Sequence, residues 1–370
     1  MKILLTGTRA PVALDLARAF RACGHAVHGA DTWPVAVMKG DLDSFTAVAA
    51  PRLRPDAFAR DAEALVTRLA PDLIIPLCED IFYWARLAGP QGWPVFAPDL
   101  ATLMRLHSKF VFVEMAQSLG LSAPKTQRLQ SDSQIKNTDR SVFKPEYSRF
   151  GSRVLIAPKA PKLPHDPANP WLQQTLVPGE DICFHAVARK GQIRAFSAYR
   201  SAWRTSGGAS YYIDPVEENL DQQLIIIAAM LTQSLDLTGQ IACDLRLDPD
   251  GHLWLIECNP RATSGLHLLA HDPERLAAAF LVDDGDTLLT DGRAACIGPA
   301  MILSGWPRAV HEGRLGQWRR DMARTRDVFA GTGSRAYTGA AVLILRAALA
   351  GQSLSNFLTA DIECNRDLTC

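Results

Sequence analysis

Short apolar runs alternate with helical segments through the N-terminal part of this chain, and that alternation leaves few folds open. Lys2–Thr6 has the pattern of a buried strand feeding a turn at Gly7, Val12–Ala22 has helical periodicity, and Ala26–Ala30 reads as a second strand. Asp61–Ala70 reads as another helix and leads into a third strand, Leu73–Leu77. Strands separated by helices do not pair as hairpins; they build a parallel sheet with helices on both faces. Trp93–Phe96 is expected as a further short strand, so residues 1 to about 100 are expected to form one α/β unit.

Beyond this unit the pattern changes. Thr102–Leu119 reads as one helix, stopped by Gly120 and Pro124. Gln130–Arg140 is polar and irregular, a loop or a weak helix. Short strands follow at Ser141–Lys144, Arg153–Ile156, Leu172–Leu176, Ile182–Ala188 and Ile193–Ala198, a small β-rich module over about residues 142–200. A helix at Leu220–Leu235 comes next, and residues 281–370 read as mostly helical. The 370 residues are enough for two or three cores. The expected division is 1–105, 106–280 and 281–370, an α/β domain followed by an α+β one and a helical extension.

Residues 241–259 carry the strongest chemical signal. Ile241–Leu247 and His252–Cys258 read as strands, and Asp248-Pro-Asp-Gly251 supplies turn chemistry. With Asp250-Gly251 as a two-residue loop, Asp244 falls opposite Glu257. Asn259 then shares their face, while Leu245, Leu247, Trp254, Ile256 and Cys258 form the apolar one. Two carboxylates ~4 Å apart at an effective dielectric near ~20 repel by about 4 kcal/mol. A divalent cation removes that conflict, and two carboxylates with an amide oxygen make an all-oxygen set suited to Mg²⁺ or Mn²⁺. The competing reading is a solvated hairpin whose register is one residue off.

Lys and Arg together number 39, as do Asp and Glu, so the formal net charge is zero. No electrostatic footprint for nucleic acid or an anionic membrane follows from that balance. The eight cysteines include no C-x-x-C pair, which favours a reducing, cytoplasmic setting. Apolar stretches near Leu224–Leu231 and Ala340–Leu349 fall short of a membrane span.

There is no P-loop run, and the G-x-G-x-x-A match at Gly331–Ala336 comes too late in the chain for a second βαβ half. The first turn, Gly7–Pro11, lacks the dinucleotide fingerprint, which argues against a nicotinamide-linked oxidoreductase. Lys109 lies in Leu106–Phe112. Lys144 ends a strand and precedes a loop with Gly151 and Ser152 that can bring backbone N–H groups to phosphate oxygens. Gln173–Glu180 is a strand end turning at Pro178-Gly179 onto an acid.

In their order and spacing, Lys109, Lys144-Pro145, the Gly151 loop, Gln174–Glu180 and Asp244…Glu257-Cys-Asn-Pro-Arg261 resemble the ATP-grasp superfamily, over about residues 1–275. The resemblance implies a Rossmann-like preATP-grasp domain at the N-terminus and ATP held between two α+β lobes, with a small β-rich lid. Lys109 and Lys144 would touch the nucleotide phosphates, and the Gly151–Ser152 loop would close over them. Gln174, Leu176 and Val177 would meet the adenine, and Glu180 the ribose. Asp244, Glu257 and Asn259 would hold the metal, with Arg261 near the transferred phosphoryl group or the acceptor. The sequence departs from the family pattern at Thr175, where an acid is usual, and at Asp244, where Glu is commoner.

The expected activity is ATP-dependent ligation: a small carboxylic acid, activated as an acylphosphate, is attacked by an amine to give an amide, ADP and phosphate. A kinase, a carboxylase or a non-catalytic ATP-binding module are the alternatives. Arg200 and Arg204, with Arg261, are candidates to hold the acceptor carboxylate. Glu79 and Asp80, after the Leu73–Leu77 strand, are candidates for a substrate amine or for capping the next helix. Residues 281–370 leave open a cover for the site, a substrate selector or a homodimer contact.

Overall fold

The structure, a computed structural model, describes residues 1–149, 153–204 and 210–369. The N-terminal domain is a parallel sheet of β1 (Lys2–Thr6), β2 (Ala26–Asp31), β3 (Ser44–Ala47) and β4 (Leu73–Pro76) in the order β3-β2-β1-β4. β1 is central and buried on both faces. Ile3 and Leu5 pack with Val12, Leu16 and Phe20 of α1 (Val12–Ala22), while Leu4 turns to Phe58 and Leu65 of α2 (Pro55–Leu69) and Trp84 of α3 (Ile81–Gln91). The expected strand at Trp93–Phe96 is only a single parallel bridge, Ile74 to Val95. The edge strand β3, with half-exposed Phe45 and Thr46, carries no strong apolar signal and was not anticipated.

The expected long helix is two, α4 (Leu100–His107) and α5 (Lys109–Ser118), broken at Ser108. Ser108 is extended; its Oγ accepts from the Val111 N–H at 3.1 Å and donates to the buried Glu146 carboxylate. The hydroxyl thus caps α5 and makes Lys109 its first residue.

A small antiparallel sheet follows, of β5 (Thr126–Arg128), β6 (Ser141–Pro145), β7 (Leu155–Ile156) and β8 (Trp171–Thr175), in the order β5-β8-β6-β7. The module therefore ends at Thr175 rather than near residue 200. β9 (Glu180–Arg189) and β10 (Gln192–Arg200), expected within it, lie elsewhere: β9 pairs with the Asp244 strand of the hairpin, and β10 pairs with β9. They belong to a seven-stranded sheet completed by β11 (Tyr212–Pro215), β12 (Gly239–Leu247), β13 (Leu253–Asn259), β14 (Ala295–Cys296) and β15 (Arg326–Asp327). β14 and β15 come from the C-terminal region, so that region is part of the sheet as well as helical. Phe184, Phe196, Ile241 and Leu255 bury one face of this sheet against Phe112 of α5 and Leu224 and Leu231 of α6 (Glu218–Ser234). The other face looks into a cleft.

Asp244 does stand opposite Glu257. The loop, however, is three residues: the Asp248 N–H donates to the His252 carbonyl at 3.0 Å, and Gly251 closes the turn at φ +84°. That moves the register by one, so Leu245 pairs with Leu255 and Arg246 with Trp254. A bulge at Ile256 then restores it. Leu253 and Leu255 consequently join the core, and Trp254 and Ile256, expected on the apolar face, do not.

No helix among the described residues is long and apolar enough to cross a membrane.

Candidate active site

A cleft of about 670 Å³ opens between the small sheet, the seven-stranded sheet and the N-terminal domain. On its floor, the bulge brings two consecutive residues, Ile256 and Glu257, to the cleft side facing Asp244. Burial raises the Asp244 carboxyl to about 6, and the facing Glu257 charge adds to that rise. Burial also works against the Glu257 charge, but Lys109 and Lys144 overcome it and hold Glu257 below its ordinary value. Cys183 donates its thiol proton to Asp244 Oδ1 at 2.9 Å, and Asn259 donates to Asp244 Oδ2 at 3.3 Å. Asn259 Oδ1 accepts from Arg261 at 3.0 Å. Two opposed carboxylates and an amide on one face fit a hard divalent cation, because the cation relieves a like-charge pair that the strands force together.

Both expected lysines converge on Glu257. Lys144 Nζ is 3.7 Å and Lys109 Nζ 3.8 Å from Glu257 Oε2, and each side chain is almost fully buried. Burial lowers Lys144 to about 8, with Lys109 adding to the effect against the opposing pull of Glu257. Lys144 lines the cleft. Lys109 sits behind Glu257, where its ammonium donates to the Ser148 carbonyl at 2.8 Å and the Glu146 carbonyl at 3.3 Å. Gly151 and Ser152 lie outside the described residues.

Gln174, Thr175, Leu176 and Val177 form one wall of the cleft, with Val142, Val154 and Ile156 above and Leu245 and Ile256 below. Gln174 is held by its amide donating to Thr126 Oγ1 at 2.9 Å. The next turn depends on Gly179, at φ +119°, where an added Cβ would lie 2.0 Å from the Leu247 carbonyl oxygen. From there strand alternation decides the roles. Asp181, Cys183 and Tyr199 face the cleft, whereas Glu180 and Arg200 fall on the opposite side.

Two expectations are thereby corrected. Arg200 ion-pairs with Glu180 at 3.1 Å and Glu217 at 2.6 Å, at the exposed start of α6, and does not line the cleft. Glu180 is its partner there rather than a ribose ligand. Asp181, missed in the sequence, takes the cleft position between Arg204 at 2.8 Å and Arg246 at 2.5 Å. Arg204 lies on the cleft, with Asp181 as its counter-ion.

Arg261 also lines the cleft, oriented by Asn259 and by Glu79 at 3.7 Å. Glu79 is not available to a substrate amine. It is 1% exposed, lies 3.5 Å from Arg149, and accepts the Cys364 N–H at 2.9 Å. Asp80 accepts from Thr6 Oγ1 at 2.5 Å and from the Cys78 N–H, locking the ends of β1 and β4; no capping bond to α3 forms. Arg9–Val12 of the N-terminal domain and Leu354, Ser355, Leu358 and Thr359 of the last helix close this end of the cleft.

The small sheet, the opposed carboxylates and the flanking lysines define a nucleotide-grasping fold, and the comparisons agree. Residues 106–265 match the family model of the ATP-grasp domain. The N5-carboxyaminoimidazole synthetase of Staphylococcus aureus superposes with a TM-score of 0.63 at 13% identity, over 84% of this chain and 86% of that one. The L-amino acid ligase of Bacillus licheniformis gives 0.57 at 13%, over 76% and 74%. The biotin carboxylase of Campylobacter jejuni gives 0.61 at 12%, over 75% and 70%. No curated protein matches in sequence. Residues 106–265 are thus similar to the ATP-grasp domain, and they follow an N-terminal parallel-sheet domain.

Proposed function

We propose that this protein is an ATP-dependent carboxylate–amine ligase that activates a small carboxylic acid as an acylphosphate and yields an amide, ADP and phosphate. The observation that carries the reading is the convergence in one cleft of Asp244, Glu257, the Lys144 ammonium and the Arg261 guanidinium, with the Lys109 ammonium behind Glu257. Phosphoryl transfer to a carboxylate needs alignment and charge neutralisation more than covalent help from the protein.

In this reading Val142, Val154, Ile156, Leu176, Val177 and Ile256 enclose the base, and Asp181 meets the ribose. Lys144 offsets phosphate charge from the small sheet, while Lys109 keeps Glu257 ionised from behind. Asp244, Glu257 and Asn259 would hold Mg²⁺, which when bound spreads the charge of the phosphate oxygens. Arg261 orients the acceptor carboxylate, and the small sheet shields the acylphosphate from water. The likeness in fold to synthetases and carboxylases keeps a bicarbonate-derived carboxyphosphate as the second reading. All cysteines among the described residues are free, which suits a cytoplasmic setting.

ADP release measured across pairs of small acids and amines, with and without bicarbonate, tests the proposal. Turnover that requires one acid and one amine supports the ligase, and turnover that follows bicarbonate supports the carboxylase. Glu257→Gln should lower turnover at least ~100-fold while the protein stays folded, because it removes a metal charge from a rigid hairpin. Normal Mg²⁺-dependent turnover by the folded variant would remove Glu257 from the metal site.

A further inference from the structure

Thr263-Ser264-Gly265 follow the metal hairpin and turn the chain into a short 3₁₀ helix, Ser264–Leu269. Gly265 lets this helix lie directly on β9 and β10. An added Cβ there would sit 2.7 Å from the His185 Cβ and 2.8 Å from Ser197 Oγ, and Ser197 donates to the Gly265 carbonyl at 2.8 Å. This close seating fixes His267 two residues later. Its Nδ1 is 2.6 Å from Asp15 Oδ2 of α1, and the two side chains are 2% and 3% exposed. Arg326 NH1 donates to the other Asp15 oxygen at 3.3 Å, and Arg326 NH2 to the His267 carbonyl at 2.6 Å.

An ionised carboxylate only accepts, so Asp15 places the imidazole proton on Nδ1 and leaves the lone pair on Nε2. Nε2 has no partner among the described residues and is not sealed in the core; His267 lines the cleft beside Arg261, Thr263 and Ser264. Among the described residues, the charged and titratable groups around the ring include Asp15 from α1, Arg326 from β15 and His185 from β9, with Arg261 lining the same cleft. A carboxylate-backed imidazole open to the acceptor end of a ligase cleft is the arrangement of a general base.

We propose that His267 receives the amine nucleophile and takes its proton, with Asp15 as the residue that positions the ring. The inference rests on the ligase reading. The substrate ammonium gives one proton to Nε2, and the freed nitrogen lone pair attacks the acylphosphate carbon, forming the C–N bond. Collapse of the tetrahedral centre breaks the C–O bond to phosphate. The phosphate leaves with the electron pair and takes the second nitrogen proton, and His267 later releases the first proton to water.

Two nucleophiles separate this role from a structural one. An alkyl amine reaches the site as ammonium and needs a base, whereas hydroxylamine is neutral at pH 7 and traps an acylphosphate without one. With the acid and amine found by ADP release, amide and hydroxamate formation are measured for the wild type, His267→Gln and Asp15→Asn. The amide-to-hydroxamate ratio should fall at least ~100-fold in His267→Gln, in line with typical general-base contributions, and fall in Asp15→Asn as well. An unchanged ratio in either folded variant overturns the proposal, as does equal loss of both products with nucleotide binding retained. Should His267→Gln fail to fold, Asp15→Asn decides alone. Absence of hydroxamate from the wild type with every acid would instead sink the ligase reading itself.

Discussion

Asp181 holds two guanidiniums on the cleft face, while Glu180 beside it holds one at the surface. Asp181→Ala should therefore raise the KM for ATP at least ~10-fold, the usual worth of a hydrogen bond to a charged group, and Glu180→Ala should leave it within ~2-fold. Steady-state kinetics at saturating acid and amine check both, and the reverse order would return the ribose contact to Glu180. The two acids were indistinguishable in the sequence because Pro178-Gly179 hides where the period-two alternation of β9 begins. His185 is fully buried, and neither of its ring nitrogens is hydrogen-bonded. Burial, helped by His267, lowers it to about 3. The unfolded chain, with a pKa near ~6.5, binds the proton first, so His185 withdraws stability as pH falls from about 6.5 towards 3. By pH 5 the loss is about 2 kcal/mol. The stability difference between His185→Leu and the wild type should widen in the variant's favour by about that amount between pH 7.5 and 5, as read by urea denaturation; a constant difference would show that His185 is solvated.

The bulge at Ile256 is the element on which the floor of the site depends. It sets an apolar side chain and a carboxylate side by side on one face, which a regular strand cannot do with consecutive residues. Ile256→Ala should raise the Kd for ATP about 5- to 20-fold through lost apolar contact, at ~0.8 kcal/mol per buried methylene, while the Mg²⁺ dependence stays as it is. Calorimetric titration with a non-hydrolysable ATP analogue checks this, and an unchanged Kd would mean that the base lies elsewhere. The Asp244–Glu257 pairing was legible in the sequence, but through two miscounts that cancel: the loop is one residue longer than Asp250-Gly251 suggests, and the bulge gives the residue back. The break at Ser108 was not legible, since an interior serine in an apolar helical pattern is compatible with an unbroken helix. Its hydroxyl bond to Glu146, distant in sequence, decides the matter.

Across the whole molecule, the C-terminal end ties the N-terminal domain to the site. Arg9 pairs with both Asp31 and Asp361, His107 Nε2 lies 2.7 Å from the Cys364 carbonyl oxygen, and the Cys364 N–H donates to the Glu79 that orients Arg261. The contacts of Asp361 and Cys364 had no local sequence signal, because each joins residues more than two hundred positions apart. The parallel sheet and the ordered lysines and carboxylates were legible, since local periodicity and spacing specify them. The proposed ligase passes the γ-phosphoryl group of ATP to the carboxylate of its acceptor. An acceptor acid labelled with ¹⁸O in its carboxylate tests that claim most directly, with mass spectrometry of the phosphate formed during amide synthesis. One labelled oxygen in each phosphate is the predicted result, because an acylphosphate leaves its bridging oxygen with phosphorus. Phosphate free of label would contradict the account.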